Sequence, residues 1–231
     1  ELISRVNQIC KVAYENNISV FIDAEDSWFQ DFIDEVAEEM IKKYNLKMPI
    51  VYNTIQLYRH DRIQYMKNLI DKCKKLEVYL GLKLVRGAYM EKEREVAASL
   101  GYQDPIHKSK KDTDNDYDSA LRYCVEHLDF ISICAGSHNE KSSILLSDLM
   151  KEKNLKNNDK RIYFAQLLGM SDHISFNLAK HGYNVAKYVP YGPIKEVLPY
   201  LIRRAEENTS VSGQTGRELT LIKKEIRRRS V

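Results

Sequence analysis

A helix predicted near the carboxyl end of the chain carries residues whose spacing could bind an anion. Within the segment 197–208, a tyrosine, two arginines and a glutamate recur at i, i+3, i+4 and i+7 on one helix face: Tyr200, Arg203, Arg204 and Glu207. Two guanidinium groups beside a phenol suit a carboxylate, because their planar forks donate paired, charge-assisted hydrogen bonds. A surface ladder of arginine and glutamate would have the same spacing, so spacing alone leaves both interpretations open. Pro199 is compatible with this helix if it lies in the first turn.

Polar side chains also stand where a series of short apolar segments ends. They are Asp23-Ala24-Glu25, Gln56, Arg86-Gly87-Ala88-Tyr89, Ser137-His138-Asn139, Gln166 and Tyr188. A single polar residue at such a point means little, because loops begin there. Six such points, bearing acids, amides, arginine, histidine and tyrosine, favour a functional site.

The elements that must position these residues are strands alternating with helices. Each apolar segment predicts a strand buried on both faces, as in a parallel sheet. The segments are Ser19–Ile22, Pro49–Tyr52, Leu82–Val85, Phe130–Ile133, Ile162–Ala165 and Val185–Tyr188. Between them, apolar residues recur every three or four positions, as in 28–40, 63–73 and 120–128, which predicts helices. Parallel strands need such crossovers, so the alternation implies an α/β architecture.

The choice between an open sheet and a barrel depends on the strand ends. No GxGxxG follows any predicted strand, so the dinucleotide signature of the open doubly wound sheet is absent. In a (β/α)8 TIM-like barrel all the carboxyl ends meet on one face, where active sites are built. We therefore expect a distorted barrel forming one domain over residues 1–231. Because six strands are fewer than eight, we also expect that N-terminal elements precede Glu1 and are missing from this chain.

Composition excludes several classes of protein. The 36 basic and 33 acidic side chains give a net charge of +3, which provides no strong attraction to nucleic acid. The four cysteines and six histidines are dispersed, without CxxC or HExxH, so we predict neither a disulfide framework nor a metal site. No apolar segment is long enough to span a membrane. The basic stretch 218–229 is expected to be a solvated outer helix rather than a membrane anchor.

Specific strings of residues add a resemblance to a known family. FIDAE, YNTIQLY, KLVRGAY, SHNE, FAQLLGM, YVPYGP and LPYLIRRAEEN stand in the order found in proline dehydrogenases, from about Ile22 to Asn208. The chain thus resembles that family, and its eukaryotic, mitochondrial branch in particular. The resemblance implies a barrel that oxidises L-proline to 1-pyrroline-5-carboxylate by hydride transfer to FAD and passes the electrons to a quinone. It also implies a location on the matrix side of the inner mitochondrial membrane, with peripheral association.

The resemblance further implies a role for individual residues. Arg203 and Arg204 would bind the proline carboxylate, and Asp23 would support the pocket through Tyr188. The residues implied to pack around the pyrrolidine ring are Ala88, Tyr89, Leu167, Tyr188 and Tyr200. Those implied to lie on the cofactor side are Gln56, Lys83, Arg86, Gly87, Ser137, His138, Asn139, Gln166 and Glu207.

The sequence departs from the family pattern at two points, and both argue against transferring every residue role to this chain. Bacterial relatives have an arginine at the position of Lys83, and a lysine keeps the charge but loses the planar fork. The family also has an earlier strand whose lysine lines the site, and nothing before Glu1 supplies it. Two alternatives stay open. One is a hydroxyproline dehydrogenase of the same family, against which the bulk of Tyr188 argues. The other is a truncated barrel that binds flavin or another ligand without turnover, or serves as an assembly partner. The sequence names no general base for the substrate amine and does not give the oligomeric state.

Overall fold

A computed structural model describes the backbone of residues 1–210 and 214–230 and the side chains of residues 1–202 and 219–230. The strands are β1 (Val20–Ile22), β2 (Val51–Gln56), β3 (Leu80–Val85), β4 (Ile131–Gly136), β5 (Ile162–Leu167) and β6 (Val185–Tyr188). The helices are α1 (Leu2–Asn16), α2 (Ser27–Tyr44), α3 (Arg62–Lys75), α4 (Met90–Leu100), α5 (Lys110–Glu126), α6 (Glu140–Glu152), α7 (Asp172–Lys180), α8 (Ile194–Ser210) and α9 (Gln214–Arg229).

The six strands of the described residues form one sheet in which spatial order equals chain order. Every neighbouring pair, from β1·β2 to β5·β6, is parallel. An open doubly wound sheet reverses its strand order at a switch point, whereas a barrel wall advances strand by strand in one direction. The order therefore confirms the predicted α/β barrel architecture, here as a curled half-barrel of six strands.

The curl of the sheet is visible at its third strand. Lys83 of β3 has its Nζ atom 5.7 Å from the ring centroid of Phe21 on β1 and 5.7 Å from that of Tyr188 on β6. In a flat sheet with strands about 4.8 Å apart, β6 would lie roughly 14 Å from β3. One ammonium group reaches both end strands because the sheet bends around it.

The helices cover the outer face of this sheet and bury its apolar side chains. In β3, Leu82 and Leu84 are fully buried, whereas Lys83 and Val85, which alternate with them, are only partly buried on the inner face. Successive side chains of a strand point to opposite faces of the sheet. One face of β3 therefore packs against the helices, and the other faces the site. On the outer face, Met66 of α3 and Leu121 of α5 are also fully buried in the same core.

Three strands differ from the prediction in their burial. Phe21 of β1 and Tyr188 of β6 are each 42% exposed and Tyr163 of β5 is 40% exposed, so burial on both faces was wrong for these strands. In the described part of the chain the two end strands have a partner strand on one side only, so they lack half of the cover available to central strands. Helices α1, α4 and α6 were not predicted, although each carries buried apolar residues.

The last two helices also differ in detail from expectation. Pro199 is the sixth residue of α8, counted from Ile194, and so lies beyond the first turn; it lacks the N–H that would bond to the carbonyl four residues earlier. The predicted outer helix exists as α9, whose described side chains are largely exposed, including Ile222 and Ile226. In the part of the chain that the structure describes, no helix is long and apolar enough to cross a membrane.

Candidate active site

An ion pair lies at the centre of the inner face, near the carboxyl ends of the first three strands. Lys83 Nζ donates to Asp23 Oδ1 over 2.5 Å, and Thr54 Oγ1 donates to the same oxygen over 3.4 Å. The sheet register explains this meeting: Thr54 pairs with Lys83, and Asp23 directly follows the last residue of β1. The pair thus links β1, β2 and β3 at the face where a barrel carries its chemistry.

Aromatic rings close the site on the side of β6 and α8. The rings of Tyr188 and Tyr200 lie 5.5 Å apart at 41°, which brings the first half of α8 against the end of β6. The sequence led us to expect that Asp23 supports Tyr188. In the structure Asp23 bonds to Lys83, and Lys83 Nζ lies 5.7 Å from the centroid of the Tyr188 ring.

Cys134 pairs with Lys83 across the sheet, on β4. Burial raises the pKa of this thiol to about 11, and the nearby Lys83 only partly offsets that rise. A neutral thiol is a poor nucleophile. Cys134 is thus a buried side chain in register with Lys83.

Arg86, at the end of β3, joins three elements through three nitrogen atoms. Its Nε donates to Asp114 Oδ1 (2.7 Å), Nη1 to Ser137 Oγ (2.8 Å) and Nη2 to Ser142 Oγ (2.9 Å). Burial pushes the pKa of Asp114 upward, but the hydrogen bonds from Lys110 and Arg86 outweigh burial and hold it below its usual range. The guanidinium group thus fixes the loop between β4 and α6 relative to α5.

The loop segment Ser137–Asn139 was expected to bind the cofactor. Asn139 is the N-cap of α6, and its Oδ1 accepts from the backbone N–H of Lys141 (2.9 Å). His138 Nδ1 lies 3.0 Å from Ser171 Oγ in the loop before α7. The segment is therefore held at both sides, by Arg86 through Ser137 and by the β5–α7 loop through His138.

The two predicted glutamines connect neighbouring loops across the strand ends. Gln56 Nε2 donates to the carbonyl of Glu25 over 2.7 Å, and Gln166 Nε2 donates to the carbonyl of Ser137 over 3.2 Å. Ser175 Oγ donates to Gln166 Oε1 over 2.8 Å. Both glutamines are almost fully buried, so each fixes a loop while standing at the edge of the site.

The remaining predicted residues occupy loop and strand-end positions around the same face. Gly87 has φ 144°, and a Cβ atom there would lie 2.4 Å from the Tyr58 ring, so only glycine fits. Ala88 is exposed and Tyr89 is the N-cap of α4. Leu167 ends β5 and pairs with Tyr188.

Three predicted residues cannot be placed at the level of side chains. Arg203, Arg204 and Glu207 belong to α8, but their side chains lie outside the described residues. Their helical backbone agrees with the predicted common face. The structure also brings together residues that the sequence analysis did not single out: Ser142 and Asp114 around Arg86, Ser175 beside Gln166, and Glu93 beside Ser27. No local signal marks them, since each acts through a contact between 9 and 66 residues away in sequence.

Fold and site together define an α/β barrel protein with a polar and aromatic face at the carboxyl ends of its strands. The sequence profile of the proline dehydrogenase family matches residues 2–217 of this chain. The chain therefore belongs to the proline dehydrogenase family.

Individual relatives agree with this assignment. The chain is 40% identical to proline dehydrogenase 1, mitochondrial, of Drosophila melanogaster over 99% of its own length and 35% of the relative's. It is 40% identical to the Homo sapiens protein of the same name, covering 99% of this chain and 38% of that one. Hydroxyproline dehydrogenase of Xenopus laevis is 36% identical, over 98% of this chain and 50% of that one. The chain thus spans little more than a third of the first two relatives.

A solved structure supports the fold directly. Proline utilization A from Bdellovibrio bacteriovorus, inactivated by N-propargylglycine, superposes with a TM-score of 0.85 at 26% identity. The match covers 91% of this chain and 22% of the bacterial chain. The predicted fold, a distorted (β/α)8 barrel of the proline dehydrogenase type, is confirmed by this likeness.

Proposed function

We propose that this chain is the catalytic barrel domain, over residues 1–231, of an FAD-dependent enzyme that oxidises L-proline to 1-pyrroline-5-carboxylate. The observation that carries the proposal is the cluster of Asp23, Lys83, Tyr188 and Tyr200 at the carboxyl ends of the strands. It unites an ion pair with an aromatic wall, in a chain of the proline dehydrogenase family. Relatives named mitochondrial support a mitochondrial location, and we extend this to the matrix side of the inner membrane, with a quinone as the final electron acceptor.

The substrate side of the proposed site is built around α8. Tyr200 contacts Tyr188, so the face of α8 that carries Tyr200 is turned toward the barrel. Arg203 and Arg204 follow three and four residues later and share that face by helical spacing. We propose that they bind the proline carboxylate through paired, charge-assisted hydrogen bonds. We propose that the pyrrolidine ring packs against Ala88, Tyr89, Leu167, Tyr188 and Tyr200.

The cofactor side of the proposed site suits a flavin. Lys83 is a cation on the inner face, only partly neutralised by one carboxylate, and a cation there favours negative charge on a reduced ring system. Gln56 and Gln166 add amide groups at the rim, and the loop containing His138 is held in place. We assign the cofactor side to Gln56, Lys83, Arg86, Gly87, Ser137, His138, Asn139, Gln166 and Glu207. In this assignment Arg86 and Asn139 act by holding the loop, because their side chains are engaged by protein groups.

The proposed chemistry needs two electrons and two protons to leave proline. Bound FAD would accept a hydride from the ring carbon next to nitrogen, and the amine proton would leave to solvent, giving the cyclic imine. The protein would supply position, charge and exclusion of water. Arg203 and Arg204 would fix the carboxylate, and the two tyrosines would hold the ring.

Hydroxyproline is the competing substrate, and one relative carries that name. A ring hydroxyl would have to fit beside Tyr188, whose phenol already lies against Tyr200. A smaller residue would leave room for the hydroxyl, so the tyrosine favours proline.

The test is the visible absorption spectrum of the purified full-length protein with FAD supplied, recorded before and after anaerobic addition of L-proline. We expect an oxidised flavin band that bleaches with proline and less readily with hydroxyproline. A bound flavin that stays oxidised with both would rule out the proposed reaction. A protein that takes up no flavin would contradict the proposed cofactor.

A further inference from the structure

The first turn of α4 is attached to the start of α2 by a buried carboxylate. Glu93 is fully buried, and its Oε1 accepts from the backbone N–H of Ser27 over 2.6 Å. Its Oε2 accepts from Ser27 Oγ, also over 2.6 Å. The first N–H groups of a helix have no partner within the helix, and a negative charge there is favoured by the helix dipole. Glu93 satisfies one of these groups in α2 from a different helix, 66 residues away in sequence.

The neighbouring residue of α4 makes a second contact with the same region. Lys92 Nζ donates to Asp26 Oδ2 over 2.7 Å. The same ammonium group lies 5.2 Å from the ring centroid of Trp28 and 5.9 Å from that of Tyr89. Lys92 is the more exposed of the pair, with 56% of its side chain accessible, so Glu93 carries the buried part of the junction.

Each of the two joined helices follows a loop of the candidate active site. The loop before α2 contains Asp23, which pairs with Lys83, and Glu25, whose carbonyl accepts from Gln56. The loop before α4 contains Ala88 and Tyr89, on the proposed substrate side. A displacement of α4 relative to α2 would therefore change the distance between these two walls of the site.

We propose that Glu93 is a positioning residue that holds the loop 23–26 and the loop 86–89 in one fixed relation, through what we call the Glu93–Ser27 clamp. The consequence for proline binding rests on the proposed function. The coupling of the two loops does not, since it follows from the contacts alone. The clamp explains why the Glu93 side chain is buried between α2 and α4.

A conservative substitution separates the clamp from a requirement for charge. In Glu93→Gln, the amide oxygen can accept from the Ser27 N–H, and the amide NH₂ can donate to Ser27 Oγ, because a hydroxyl both donates and accepts. Glu93→Ala loses both bonds and leaves the partly buried Ser27 N–H without this partner. Ser27→Ala removes only one bond and serves as the milder variant if Glu93→Ala folds poorly.

The coupling is tested by hydrogen–deuterium exchange of the full-length protein. We expect Glu93→Ala to speed amide exchange in residues 24–29 and 86–92 together, with Ser27→Ala giving a smaller effect of the same pattern and Glu93→Gln staying close to wild type. Met150→Ala is the control, because Met150 is fully buried near the end of α6, at the opposite end of the barrel. Faster exchange in one loop without the other, or the same pattern in Met150→Ala, would overturn the clamp.

The effect on the site is tested by kinetics on the flavin-loaded protein. We expect Glu93→Ala to raise the KM for proline about tenfold while kcat changes by no more than about threefold, with Glu93→Gln restoring the wild-type KM. Met150→Ala, with a similar loss of thermal stability, should leave KM unchanged. If the KM for proline rises with the loss of thermal stability in every variant, including Met150→Ala, Glu93 would be only a structural helix cap. If wild-type protein fails to oxidise proline, the proposed function is wrong, and the exchange experiment still decides the coupling.

Discussion

At the scale of single residues, the site depends on how one lysine is surrounded. Lys83 bonds to Asp23 and lies between the rings of Phe21 and Tyr188. An ammonium group beside aromatic faces is attracted by their ring electrons, while the carboxylate sets its direction. Substrate preference should therefore respond to the aromatic neighbours as well as to the charges.

Tyr188→Ser tests the aromatic wall. Removing the phenol opens space for a ring hydroxyl and offers a hydroxyl partner, so the ratio of kcat/KM for hydroxyproline over proline should rise about tenfold or more. Steady-state kinetics with both substrates measure this ratio. Tyr79→Ser is the control, since Tyr79 lies just before β3, at the amino ends of the strands. An unaltered ratio in Tyr188→Ser would show that Tyr188 does not discriminate between proline and hydroxyproline.

Arg204→Met tests the proposed carboxylate site. Losing charge-assisted hydrogen bonds to a carboxylate should raise the proline KM roughly a hundredfold, with flavin content unchanged. The measurement is KM beside the ratio of flavin to protein absorbance. Arg228→Met, which removes an exposed arginine paired with Glu225 on α9, should change neither quantity. An unchanged KM in Arg204→Met would exclude the proposed role.

At the scale of elements, the loops at the strand ends are fixed by contacts from neighbouring loops and helices. Arg86 attaches the β4–α6 loop to α5, Gln56 attaches the β1–α2 loop to β2, and Gln166 attaches β5 to the β4–α6 loop. Each contact replaces water around a loop with a defined partner. The site is thereby held in position before any ligand arrives.

Gly87→Ala tests how tightly the β3–α4 loop packs. With φ at 144° and Tyr58 ring atoms 2.4 Å from the added Cβ, we expect a loss of about 2–4 kcal/mol of unfolding free energy. Gly101→Ala is the matched control, because Gly101 has φ 71° with nothing within 4 Å of the added Cβ, and should lose only about 1 kcal/mol. Urea denaturation measures both. Equal losses would show that the Tyr58 contact relaxes freely.

Asp114→Asn tests the Arg86 junction through pH. The folded-state pKa of Asp114 is below its unfolded value of 3.8, so its contribution is present above that value and is lost as pH falls through the folded pKa. We therefore expect wild type to be more stable than Asp114→Asn at neutral pH, with the difference shrinking as the pH falls below 3.8. Urea midpoints at neutral and at acidic pH measure this. Asp148→Asn, at an exposed position on α6, should differ little from wild type in stability at either pH. A stability difference between wild type and Asp114→Asn that stays the same at neutral and acidic pH would contradict the expectation.

At the scale of the whole molecule, a buried polar cluster connects the first helical layer to the sheet. Asp34 of α2 accepts from Arg62 of α3 (2.7 Å), from Asn53 of β2 (2.8 Å) and from Gln30 (3.0 Å). Both members of the ion pair are more than nine-tenths buried. Every polar atom of this carboxylate is thus directed at a partner, which is what burial of a charge requires.

Arg62→Met tests this cluster. It leaves the Asp34 charge buried without its cation, which should lower the free energy of unfolding by about 3–5 kcal/mol. Denaturation curves measure the free energy of unfolding. The double variant Arg62→Met, Asp34→Leu should recover part of the lost stability, since no charge is then buried alone. Arg5→Met is the control for an exposed pair with Glu1 and should change stability by at most about 0.5 kcal/mol. A loss of unfolding free energy as small as that of Arg5→Met would show that neighbouring groups compensate for the missing cation.

Much of the fold could be predicted from local patterns. Short β-branched segments marked all six strands within a few residues, and the polar residues that follow them marked the face of the site. These signals are local, because strand alternation and helical spacing depend only on near neighbours in sequence. Family strings such as LVRGAY added the identity of the family, which the profile match confirmed.

Other features were decided only by the tertiary structure, because they join residues far apart in sequence. The Lys83–Asp23 pair spans 60 residues, the Glu93–Ser27 contact 66, and the Arg86–Ser142 contact 56. No periodicity encodes such pairs; they form where the curled sheet brings loop ends together. The sequence by itself therefore determined the family, the six strands and most of the helices, and it placed the candidate site at the carboxyl ends of the strands. The curvature of the sheet and the packing of helices on it determined which side chains meet there, since contact across a barrel depends on geometry rather than on spacing along the chain.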